Sequence, residues 1–172
     1  MPAMKSIPFW VIGLFLPALA AHAQASLDCN TAKLADPANA TYTIEGDAIT
    51  LVNGARSQPA APGSHTMHET RLIPGAQACG NFDGEPVVVS LLSDDPGGSG
   101  SFIYVAAVPR NGRSYPAALI GDRIVPKSVV VEHGQIVVTY LGRAGNAPMA
   151  APPTQKLVRR FGLQHGHLLD QP

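Results

Sequence analysis

Two short runs decide the fold class: Val87-Val88-Val89-Ser90-Leu91-Leu92 and Phe102-Ile103-Tyr104-Val105-Ala106-Ala107-Val108. Successive side chains of a strand point to opposite faces, and these runs are apolar at odd and even positions alike. Such strands must be covered on both sides, so both runs are expected at the centre of a sheet. The stretch between them, Ser93 to Ser101, is rich in glycine and acidic residues and reads as a connection.

Working outward, weaker strand patterns fall at 42–45, 48–52 and 66–73 on one side. On the other side they fall at 115–120, 129–132, 136–141, 156–163 and 168–169. Gly46-Asp47, Asn53-Gly54, Pro74-Gly75, Asn111-Gly112, Gly134 and His165-Gly166 punctuate them, each a residue pair or glycine suited to a tight turn. Residues 55–65 and 142–155 read as loops dominated by Ala, Pro, Gly and Ser. One helix is expected, over Thr31 to Ala35, capped by Asp28 or Asn30 and stopped before Pro37. The expected architecture is all-β: a single antiparallel meander forming a barrel or sandwich, with one short N-terminal helix.

The chain has 172 residues, room for one domain. Its first 25 residues have the parts of an export signal: Lys5, the apolar run Ile7 to Ala21, and the small-x-small exits Ala21-His22-Ala23 and Ala23-Gln24-Ala25. That run is about fifteen residues long and is interrupted by Pro17, short of the roughly twenty needed to span a bilayer. The expectation is cleavage after Ala23 or Ala25, a β domain over 26–172, no membrane span, and a periplasmic or secreted location. Of the 12 basic and 12 acidic side chains only Lys5 lies in the leader, so the mature chain carries a net charge of −1 with histidine neutral. Without a positive field, a general nucleic-acid binder is excluded. With 45% apolar and only 14% charged residues, the composition is that of a folding chain and not a disordered one.

Cys29 and Cys79 are the only cysteines. Outside the cytoplasm an even pair is expected to form a disulfide. Neither has a Cys or His at metal-ligand spacing, and across the chain fewer than three convergent ligands can be named, so no metal is expected, and no cofactor either.

In a meander every second connection returns to the same end. Loops 93–100, 121–127 and 142–155 should therefore meet, bringing together Asp94, Asp95, Ser99, Asp122, Arg123 and Arg143 as candidate ligand-binding residues. Gly97-Gly98-Ser99-Gly100 can present backbone N–H groups to an anion, but it lacks the Lys-Ser/Thr ending of a nucleotide-binding loop. It also lacks the final glycine of G-x-S-x-G, since Ser101 stands there. A Ser-His-Asp set can be written from Ser99, His68 and Asp122, though sequence alone does not fix its geometry. His133-Gly134 and His165-Gly166 read as turn residues.

Several segments resemble, in order, a family of small exported bacterial (periplasmic) β proteins of uncharacterised activity. They are Thr41-Tyr42-Thr43-Ile44-Glu45-Gly46, Leu51-Val52-Asn53-Gly54, Pro62-Gly63-Ser64, Gly97 to Ala107, and Leu119-Ile120-Gly121-Asp122-Arg123-Ile124. The resemblance implies an envelope protein and supplies no catalytic residue. Members of that family often carry an acidic stretch resembling a calcium loop before the central strand. Here Gly80 to Pro86 is shorter and keeps only Asn81, Asp83 and Glu85 as oxygen donors, where calcium takes six to eight ligands. The functional expectation is an exported binding module for another envelope component, protein or glycan fragment. The alternatives are a hydrolase using the 93–100/121–127 end and a calcium-steadied structural module.

Overall fold

The computed structural model describes Cys29, residues 33–82 and residues 84–172. The expected leader and cleavage sites, residues 26–28, residues 30–32 and Asp83 lie outside them. So does the start of the expected helix. Residues 33–36 are irregular, and one 3-10 turn follows at Pro37–Asn39, where the Asp36 carboxylate accepts the Ala38 N–H at 2.9 Å.

Twelve strands follow: β1 (Thr41–Ile44), β2 (Asp47–Thr50), β3 (Ala55–Pro59), β4 (Met67–Phe82), β5 (Glu85–Asp95), β6 (Phe102–Pro109), β7 (Arg113–Pro116), β8 (Ala118–Asp122), β9 (Val125–Glu132), β10 (Gln135–Gly142), β11 (Gln155–Gln164) and β12 (His167–Gln171). They form three sheets: β3-β4-β5-β6-β8, β12-β11-β10-β9 and β2-β1-β7. Among the described residues no barrel closes, and the layers make a sandwich-like all-β fold.

The five-stranded sheet is the middle layer, and the two decisive runs are at its centre. Odd residues Val87, Val89, Leu91, Ile103, Val105 and Ala107 join Ile136, Val138, Tyr140 and Phe161 of the four-stranded sheet in one core. Even residues Val88, Leu92, Tyr104, Ala106 and Val108 join Tyr42, Ile44 and Ile49 of the small sheet, and Leu51 just after β2, in a second core. Each fully buried aliphatic side chain of this kind is worth about 1.5–3 kcal/mol, so the double-sided strands carry much of the stability.

The path differs from a plain meander in three places. Residues 55–59, expected in a loop, form edge strand β3. Strand β4 runs through Pro74-Gly75; a register shift between Leu72 and Gln77 absorbs the missing N–H of proline and the left-handed backbone of Gly75 (φ 72°). The expected strand 115–120 is split at Pro116. β7 leaves the middle sheet and pairs parallel with β1, while β8 continues beside β6. Where β4 passes β9, a Cβ on Gly80 would overlap the Val131 side chain, so only glycine lets the layers approach there.

Glu45-Gly46, Asn53-Gly54, His133-Gly134 and His165-Gly166 all have both residues at positive φ, the conformation of the tightest hairpin turns. The Cys29–Cys79 disulfide is present, with Cα atoms 5.5 Å apart, and ties the N-terminal segment to β4. Such a bond forms and persists in oxidising compartments outside the cytoplasm. Among the described residues no helix is long and apolar enough to cross a membrane.

Candidate functional site

Thr70, Asp94, Phe102 and Asp122 stand in register across β4, β5, β6 and β8. That row marks one end of the sandwich, and the loops meet there. The Ser101 N–H donates to the Asp122 carboxylate at 2.9 Å, and the Arg123 N–H donates to the Ser101 carbonyl at 2.7 Å. Arg143 reaches in from the 142–155 loop, donating to the carbonyls of Ala151 (2.6 Å), Arg123 (3.2 Å) and Asp122 (3.3 Å). Asp122 also pairs with Arg123 at 3.0 Å. Partial burial works against ionisation of Asp122. The Ser101 N–H and the two guanidinium groups outweigh it and hold the carboxyl below its usual range.

The end is thus tied together by its own polar groups. Asp95 accepts the Gly97 N–H at 3.0 Å, a turn-forming bond. Arg123 stands at φ 49° without a following glycine, a position held by the bonds around it. Ser99 is exposed, and its hydroxyl bonds to no described residue.

Asp94 faces the second core. It is buried and accepts on one oxygen from His68 Nε2 at 2.8 Å and from the Thr70 hydroxyl at 2.6 Å. The His68 side chain is 25% exposed. The written set of Ser99, His68 and Asp122 is therefore not assembled: His68 bonds Asp94, and Asp122 bonds Ser101 and Arg123. An Asp–His pair of this kind orients an imidazole, but a nucleophile must stand at the other ring nitrogen. Among the described residues none does, since the Thr70 hydroxyl bonds the carboxylate. Nearby, Tyr104 donates to Glu45 at 2.8 Å. Burial, then that carboxylate, pushes its phenol well above the ordinary range. Burial alone is the main cause that pushes Tyr42 up to about 12.

The opposite end carries a cleft of about 410 Å³ lined by Phe82, Glu85, Tyr115, Leu163, Gln164, His165 and Gly166. Phe82 and Glu85 flank the β4–β5 turn, and Tyr115 comes from β7. Leu163 and Gln164 end β11, and His165-Gly166 forms the β11–β12 turn. The detour of β7 builds one wall: a Cβ at Gly166 would stand 3.7 Å from the Tyr115 ring. Phe82 is buried, Glu85, Tyr115 and Leu163 are half-buried, and Gln164 and His165 are exposed.

The Glu85 carboxylate, Tyr115 hydroxyl, Gln164 amide and His165 imidazole make no hydrogen bond or ion pair with any described residue. The sequence marked Glu85 only as an oxygen of the 80–86 stretch and His165 only as a turn residue. Phe82, Tyr115, Leu163 and Gln164 carried no signal. Asp83 lies outside the described residues, and among those described no three His, Cys, Asp or Glu side chains group to hold a metal.

No protein-family model, no curated protein and no solved structure matches the chain. Its class is therefore defined by the fold: an all-β sandwich of three layers with one disulfide.

Proposed function

We propose that the chain is an exported binding domain, periplasmic or secreted, that holds its ligand in the cleft between the β4–β5 and β11–β12 turns and performs no catalysis. One observation carries this reading. Glu85, Tyr115, Gln164 and His165, which line the cleft together with Phe82 and Leu163, have no side-chain hydrogen-bond partner among the described residues, whereas Asp94, Asp95, Asp122, Arg123 and Arg143 of the loop end are committed to backbone and side chains of the same fold. Unpaired polar groups over apolar walls are what a small-ligand site offers. The ligand belongs to another envelope component, a protein or a glycan fragment. Export rests on the leader pattern and the disulfide.

Two measurements test this. Intact mass of the exported protein should show cleavage after Ala23 or Ala25; a retained Met1 contradicts export. In pull-downs from a periplasmic extract, Tyr115→Ala should lose the partner that the wild type retains, while Arg123→Ala keeps it. The reverse pattern moves the site to the 93–100/121–127 end.

A hydrolase reading rests on the His68–Asp94 hydrogen bond alone. It requires ester or amide hydrolysis that disappears in Asp94→Asn, and we expect no such activity.

A further inference from the structure

We propose that the cleft recognises an alkylammonium group, an amine on an aliphatic stem. The inference rests on the reading of the cleft as the binding site and adds the chemistry of what enters it. The lining includes one carboxylate, Glu85, one imidazole, the exposed His165, and no lysine or arginine. An anion would meet Glu85 without a guanidinium or ammonium to offset it, whereas a cation finds a half-buried carboxylate that no described residue neutralises. Tyr115 adds a half-buried aromatic ring, and an aromatic ring attracts a cation over its face. Leu163 gives methylene groups an apolar surface.

Donor arithmetic agrees. An ammonium group has three N–H donors and no acceptor. The two carboxylate oxygens of Glu85 and the hydroxyl oxygen of Tyr115 are three acceptors from two elements on one cleft. A cleft of about 410 Å³ also has room for several methylenes behind the charge. The amine is either that of a free small molecule or that of a lysine-type side chain held in a larger chain.

Titration of the mature protein, followed by nuclear magnetic resonance of Phe82, Tyr115 and Leu163, tests this with four probes. 1,5-Diaminopentane represents the free amine and Nα-acetyl-lysine-N-methylamide the chain-borne one. 1-Pentanol and glutarate are the uncharged and anionic controls. One or both amines should shift the cleft resonances and the controls should not; whichever amine binds more tightly identifies the source. Glu85→Gln should weaken the amine about tenfold, and Arg123→Ala should leave it unchanged. Added salt should weaken it as well, as expected for a partly exposed charge pair. Unchanged amine affinity in Glu85→Gln overturns the proposal. So does a cleft that shifts with 1-pentanol or glutarate but not with amines, an outcome that keeps the cleft as a binding site. If no probe shifts any cleft resonance, both this proposal and that reading fail.

Discussion

The two ends of the sandwich hold similar side chains and use them in opposite ways. At the loop end, Asp94, Asp95, Asp122, Arg123 and Arg143 each bond a backbone or side-chain group of the same fold. At the turn end, Glu85, Tyr115, Gln164 and His165 line a cleft and bond to no described residue. Long loops with charged residues invite a binding interpretation. Their charges are also what a long loop needs to satisfy its own backbone, and Arg143 shows this by serving three carbonyls at once.

The largest effect expected concerns the frame that holds both ends. Cys79 lies on β4 five residues before the Gly84 turn, and its disulfide closes a 50-residue separation. Reduction should cost about 4 kcal/mol in the chain-entropy account, read as a lower denaturation midpoint. If the melt does not move on reduction, the segment at Cys29 contributes no constraint.

Next in size is the contrast itself. Arg143→Ala should destabilise by about 2–3 kcal/mol, because it strips a charged donor from three carbonyls. Asp122→Ala, which frees the Ser101 N–H, should cost about 1–2 kcal/mol. Glu85→Gln and Gln164→Ala should stay within about 0.5 kcal/mol of wild type, since they break no bond to a described residue. Equal costs at the two ends would erase the distinction.

Acid titration sharpens it further. The folded Asp122 carboxyl is held below its unfolded value, so its contribution is present above pH about 4 and is lost as pH falls through the folded value. The stability difference between wild type and Asp122→Asn should therefore shrink in acid. A difference that grows on acidification would contradict the assignment.

A smaller effect lies at the alkaline side, in the second core between the ends. Tyr42 and Tyr104 bind their protons more tightly folded than unfolded, where a phenol titrates near pH 10. Their contribution is intact below about pH 10 and is lost as pH rises through the folded values. Phenolate absorbance from these two residues should rise together with loss of the β circular dichroism. Ionisation of both in a still-folded protein would show the core to be open to hydroxide.

The sequence reading reached the centre of the molecule and missed its edges for physical reasons. Val87–Leu92 and Phe102–Val108 were legible because a strand apolar on both faces has few other places to go. Asn53-Gly54, His133-Gly134 and His165-Gly166 were legible because tight turns demand positive φ. Ala55–Pro59 was not, because an edge strand with half-covered faces shows no alternation. The parallel pairing of β7 with β1 joins residues far apart in sequence, and nothing local announces it. The row Asp94–Phe102–Asp122 followed from strand parity. What each charge bonds did not follow, nor did the cleft, whose walls come from β4, β5, β7 and β11 and form no motif.

The central claim is that ligand binding belongs to the turn end and that the loop end is structure. Amide shift mapping on the isotope-labelled protein, with a periplasmic extract added, tests it most directly. The account predicts perturbation at residues 82, 84, 85, 115 and 163–166, with residues 97–101 and 122–124 unmoved. Perturbation centred on Ser99, Asp122 and Arg123, with the cleft silent, would contradict it.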